Sequence, residues 1–199
     1  MVCTGNVCRS PLAERLGAAQ LGRLLGEDAR LVRIASAGTR AVVGSSMDPA
    51  SARVLARLGG DPTGFRARQL TDSMARLADL TLTLTRDHRH QVLARAPRAM
   101  SRTFTLIEAA GLLELVDPVE SVASAAPAER LRSLTRAMAA ARSLRSSRSD
   151  DDVLDPIGLA DDVHAQVGSV VAWALRPVLD RVAAALAPGT VPLGERSRR

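Results

Sequence analysis

The spacing of apolar positions along the chain changes several times, and each change marks a new element. Leu12, Leu16, Leu21, Leu24 and Leu25 recur at helical intervals, which predicts an amphipathic helix from residue 11 to 25. Leu31 to Ala35 reads as a short strand delivering Ser36-Ala37-Gly38-Thr39 to a loop. Asp48-Pro49 has the form of a cap and first turn, so a second helix is expected through Leu58, closed by Gly59-Gly60. Thr71 can cap a short helix, after which Leu80, Leu82 and Leu84 alternate with threonines as a strand. A fourth strand is predicted over Arg102 to Ile107, followed by a helix from Glu108 to Leu115. Gly158 to Leu186 makes a closing helix, with Trp173 expected on its core face. Helices alternating with about four short strands predict a three-layer α/β domain with a mostly parallel sheet and right-handed crossovers.

Two regions depart from this alternation. Between residues 116 and 152 the composition shifts to Ala, Ser and Arg, and within it Glu129 to Arg145 carries helix formers with Leu131, Leu134 and Met138 on one side. It is read as an insertion in a domain spanning 1–187, a mobile helix over the mouth of the site, whose arginines form a solvated face or recruit an acidic partner. Residues 188–199 are read as a flexible basic tail.

The candidate chemistry is concentrated at the start. Cys3-Thr4-Gly5-Asn6-Val7-Cys8-Arg9-Ser10-Pro11 places a thiol, an anion clamp and a helix start in one turn of chain. A loop of this length, with Gly5 and Asn6 available for left-handed backbone, can turn its N–H groups inward around one tetrahedral anion. Ser10 can cap a helix whose first position is Pro11, which has no N–H to leave unpaired. The anion then sits at the positive end of that helix, and the same field favours a thiolate at Cys3. Arg9 offers a planar fork matched to two phosphate oxygens. His88 and His90 beside Asp87 do not read as metal ligands, because two side chains spaced by two on a helix point apart; a solvated face is expected.

The stretch Cys3 to Glu14 resembles the signature of the low-molecular-weight protein tyrosine phosphatases nearly residue for residue. Further similarity lies at Ser36-Ala37-Gly38-Thr39, at Ala67-Arg68-Gln69-Leu70-Thr71, where Phe65 stands at a position that is often His, and at Asp155-Pro156. The resemblance covers about residues 1–110 and 153–187 and implies a flavodoxin-like strand order with the active loop after the first strand. In that family several hydrophobic residues precede the cysteine, and here only Met1-Val2 do, so the first strand is expected to be truncated.

What the resemblance implies about chemistry is a two-step, metal-free and cofactor-free phosphatase. Cys3 is the nucleophile, Arg9 and the amides of Thr4, Gly5, Asn6, Val7, Cys8 and Ser10 hold the phosphate, and Ser10 stabilises the thiolate as it departs. Asp155 is the general acid and base, with Asp117-Pro118 as a weaker competitor, and Ser36 supports Asn6 through a hydrogen bond. Cys8 could trap an oxidised Cys3 as a disulfide. The implied substrate is a phosphotyrosine protein, one served by a bacterial-type tyrosine kinase system. Ile157 stands where phosphotyrosine enzymes of the family commonly carry an aromatic. Val7 is the tyrosine-type residue where phosphoarginine enzymes have Thr, which leaves an arginine phosphatase as the alternative. Arsenate reductases need further cysteines that this chain lacks. A non-catalytic phosphoprotein-binding module is the reading from a different class.

Composition narrows the partners. The chain has 199 residues, a net charge of +6 and 27 basic residues, all of them Arg. The arginines are scattered, and one Trp, two Phe and no Tyr leave little to stack bases, so no nucleic-acid role is expected. Without Lys there is no Walker-type loop. Two cysteines five apart make no disulfide framework and suit a reducing cytoplasm. The most apolar segment, Val170 to Leu186, is interrupted by Arg176, Asp180 and Arg181, so it reads as an amphipathic helix and no membrane span is expected.

Overall fold

The computed structural model describes residues 1–116, 126–145 and 151–186. Asp117-Pro118, the flanks of the insertion and the basic tail lie outside them. Four parallel strands, β1 (Val2–Cys3), β2 (Ala37–Gly38), β3 (Thr81–Thr83) and β4 (Thr103–Thr105), form one sheet in the order β2-β1-β3-β4. Short as it is, β1 occupies the centre, with Val2 opposite both Ala37 and Thr83. Its two side chains face opposite ways, as strand geometry requires. Cys3 joins the larger hydrophobic cluster and Val2 the smaller one on the other face.

The larger cluster is built from α1 (Arg9–Leu25), α2 (Pro49–Arg57), α5 (Leu106–Leu115) and α7 (Asp161–Leu186), through Leu12, Leu16, Leu55, Leu112, Val171 and Leu175. On the opposite face α3 (Asp72–Leu77) and α4 (Arg86–Arg95) contribute Ala75 and Val92. The result is the expected three-layer arrangement. Caps start several helices. Asp48 accepts from the amides of Ala50 and Ser51, Thr71 from Met74, and Thr105 and Glu108 form a reciprocal capping box.

Four expectations are corrected. Leu31 to Ala35 makes no strand: a 3-10 turn occupies Gly26–Leu31, and the ladder begins only at Ala37, because β1 offers partners from Met1 onward. Trp173 is 60% exposed, since the buried positions of α7 follow 164, 167, 171, 174, 175, 178, 182 and 186, and 173 falls off that stripe. Ser10 does not cap α1, which starts two residues earlier, at Arg9, with Cys8 at the cap position. The inserted helix, α6 (Pro127–Ala141), does not cover the anion loop. Its Leu131, Leu134 and Met138 line a cavity of about 600 Å³ with Met1, Ala35 and Leu80, at the end of the sheet where the strands begin. Arg142, just after it, pairs with Glu108 at 2.9 Å and lies 4.1 Å from the centre of the Phe104 ring, which fastens this end of the insertion to α5 and β4.

Candidate active site

The loop between β1 and α1 stands at the carboxyl end of the central strand, where ligands collect in sheets of this kind. Its shape is set by where its carbonyls go. Those of Cys3, Thr4, Gly5 and Val7 accept hydrogen bonds from the amides of Thr39, Arg40, Val42 and Asp48, at 2.9 to 3.0 Å, so they are held against the segment that follows β2. With the carbonyls turned outward, the amides of Thr4 to Cys8 face the concavity and have no partner among the described residues. A Cβ on Gly38 would stand 2.4 Å from the Thr4 carbonyl oxygen, so only glycine lets β2 approach this closely.

Asn6 locks the loop from beneath. It is the one non-glycine residue with left-handed backbone among those described, at φ 55°, whereas Gly5 was expected to share that conformation and does not. Its buried amide donates to Ser36 Oγ at 2.7 Å and to Ser10 Oγ at 2.9 Å, and its carbonyl accepts from the Arg68 amide at 2.9 Å. Ser36 Oγ in turn donates to Glu14 at 2.5 Å, and Arg68 reaches both the Ser36 carbonyl and Glu14. Every polar atom of the Asn6 amide is therefore engaged.

Cys3 and Ser10 meet at 2.9 Å between Sγ and Oγ, both buried. Because Ser10 Oγ already accepts from Asn6, its own proton is free to point at the sulfur. Arg9 is buried and reaches across the site to the loop ahead of α7. One terminal nitrogen donates to the Val153 carbonyl at 2.9 Å and the other to Asp155 Oδ2 at 2.6 Å. Its Nε is buried and unpaired. The acidic loop is itself anchored, by the Val153 amide on the Leu84 carbonyl, by Arg145 on Asp151 and by Arg86 on Asp152. Asp155 alone of the three acids projects toward Arg9, and its side chain is 42% exposed.

The chain's pattern did not disclose His88. It is buried, not on a solvated face, and its ring bridges Thr4 Oγ1 and Thr85 Oγ1 at 2.8 Å each, while His90 is exposed. Burial above all, and then the Arg9 guanidinium, push its pKa down to about 4. The imidazole is thus neutral at pH 7, donating at one nitrogen and accepting at the other. The signal in the sequence was Thr85 three residues ahead, a cap whose hydroxyl turns back onto the ring. Because an unfolded His titrates near 6.5 and this one near 4, the unfolded state takes up the proton first. Stability is accordingly expected to fall as pH drops from about 6.5 toward 4, and His88→Gln to flatten that fall; urea unfolding at pH 7 and pH 5 measures both.

A family model for low molecular weight phosphotyrosine protein phosphatases matches residues 1–128. The chain belongs to this family. Low-molecular-weight phosphatase relatives include Etp of Escherichia coli K12, 38% identical over 118 residues that cover 59% of this chain and 74% of Etp. Phosphatase A of Mycobacterium tuberculosis H37Rv is 44% identical over 124 residues, 59% of this chain and 72% of its own length. Among solved structures, the tyrosine phosphatase Wzb from Escherichia coli K30, in complex with sulphate, aligns with a TM-score of 0.60 at 26% identity, over 90% of this chain and 93% of Wzb. As a low-molecular-weight phosphatase the chain is a hydrolase. The family match ends before Asp155, so that residue's place in the site is given by its contact with Arg9.

Proposed function

We propose that the chain hydrolyses phosphotyrosine in proteins, and aryl phosphates generally, through a cysteinyl-phosphate formed on Cys3. The observation that carries the reading is the set of unpaired donors around one concavity: the amides of Thr4 to Cys8 and the buried Nε of Arg9. Unpaired buried donors are costly unless a ligand completes them, and a phosphate dianion suits this set.

Cys3 attacks phosphorus in line while the amides and Arg9 hold the three non-bridging oxygens, where transition-state charge is carried. The incoming dianion takes the Arg9 fork and displaces the Asp155 carboxylate, which takes up a proton from solvent beside the dianion and turns to the leaving oxygen as general acid. Asp155 then accepts a proton from the water that hydrolyses the cysteinyl-phosphate. Ser10 donates to the sulfur as it leaves, and Ser36, through Asn6, keeps the loop in shape. A nucleophile that must stay reduced fits a cytoplasmic setting, with a tyrosine kinase supplying the phosphoprotein. The ring of the substrate rests on aliphatic side chains: Val42, whose amide binds the Gly5 carbonyl, and Ile157, beside Asp155, are both exposed.

The test is hydrolysis of an aryl phosphate and of phosphotyrosine, phosphoserine and phosphoarginine substrates by purified protein, with vanadate as inhibitor. Vanadate-sensitive turnover with phosphotyrosine foremost is expected. Binding of phosphate without turnover would identify a binding module, and preference for phosphoarginine would move the specificity to the other branch.

A further inference from the structure

Next to the anion loop, a second cluster of side chains has no role in the proposed reaction. Cys8, at the cap position of α1, Asp48, the cap of α2, and His164, in the first turn of α7, place one ligand atom each within 4.8 Å of one another. Cys8 and His164 are buried and the Asp48 side chain is 20% exposed. His164 Nδ1 lies 3.5 Å from Asp48 Oδ1 and 2.9 Å from Ser51 Oγ. Three elements far apart in the chain thus bring a thiol, a carboxylate and an imidazole to one point.

We propose that Cys8, Asp48 and His164 form a binding site for a divalent transition ion of the zinc class. Sulfur, imidazole and carboxylate are the donors such an ion prefers, and three protein ligands leave the fourth tetrahedral position to water. Bonds of about 2.0–2.3 Å set tetrahedral donors roughly 3.5 Å apart, so side-chain rotations of about an ångström bring these three into place. Bound, the ion faces two anionic ligands and one neutral one, which cancels its charge in a buried place. Both anionic ligands stand at helix N-termini, where negative charge is favoured. A thiol binds such an ion as the thiolate, so binding releases the Cys8 proton and affinity rises with pH. The Asp48 amide donates to the Val7 carbonyl, so an occupied site ties α1, α2 and α7 together directly under the loop. Occupancy would also withdraw Cys8 from any disulfide with Cys3.

Cobalt(II) titration of the full Cys3→Ser chain tests this without reference to turnover, since Cys8 is then the one remaining thiol. A sulfur-to-cobalt charge-transfer band saturating near one equivalent and abolished by zinc is expected. In the same background His164→Gln is expected to weaken cobalt by at least about tenfold, and Asp48→Asn, which can still cap α2, to weaken it likewise. Phosphate binding to the anion loop, measured on the same samples, should be unchanged in both and verifies that they are folded. Absence of the band at one equivalent, or a band indifferent to both substitutions, overturns the proposal. Neither result bears on the phosphatase reading, which stands on the separate activity assay.

Discussion

A Cys3→Ser chain is expected to lose turnover by a factor on the order of 10⁵ while still binding phosphate and vanadate. The two halves of this result come from different parts of the site. The sulfur supplies the bond to phosphorus, and a serine hydroxyl at the same place has no base to activate it: the His88 ring is bonded to Thr4 and Thr85 instead. The anion, by contrast, is held by amides whose orientation depends on outward carbonyls and on Asn6, none of which involves the Cys3 side chain. Ser10 keeps a partner in the new hydroxyl. Steady-state assay together with calorimetric phosphate binding measures both halves, and full activity in this variant would remove Cys3 from the mechanism.

Asp155→Asn is expected to depend strongly on the leaving group. With a poor leaving group such as a tyrosine phenolate, loss of the general acid should lower kcat/KM by about 10²–10³, whereas a well-activated nitrophenyl ester should lose far less. The amide cannot donate an acidic proton, yet its oxygen can still accept from Arg9, so the 2.6 Å contact and the pose of the loop survive. A Brønsted plot over substituted phenyl phosphates reads the effect directly: a steeper dependence on phenol pKa is expected in the variant. A uniform loss across the series would mean that Asp155 serves only to hold Arg9. The structure favours an acid that can move, because its carboxyl is partly exposed while Asp151 is buried against Arg145.

The order of elements and much of the anion loop were legible in the sequence because both rest on local rules. Pro49 after Asp48, and Thr71 ahead of a polar turn, announce caps whose hydrogen bonds close within two or three residues. The spacing from Cys3 through Arg9 confines thiol and guanidinium to one loop. Where local pattern misled, a long-range contact had the deciding vote. Leu31 to Ala35 is a short, largely apolar run with strand-forming Val32 and Ile34, but a strand exists only where a neighbour pairs with it, and β1 pairs from Val2. Trp173 has the size of a core residue, yet the stripe of α7 turned toward α1 and α5 excludes it.

What the chain determined by itself is therefore the anion loop, its thiol and the α/β alternation around them, since these follow from backbone conformation and period over a few residues. Only the tertiary structure decided that Arg9 would meet Asp155 across 146 positions, that His88 would be a neutral strut under Thr4 and not a surface residue, and that Cys8, Asp48 and His164 would converge. The physical reason is common to all three. Burial and charge act through space, so a side chain's protonation and partners depend on which distant segments the sheet order places beside it.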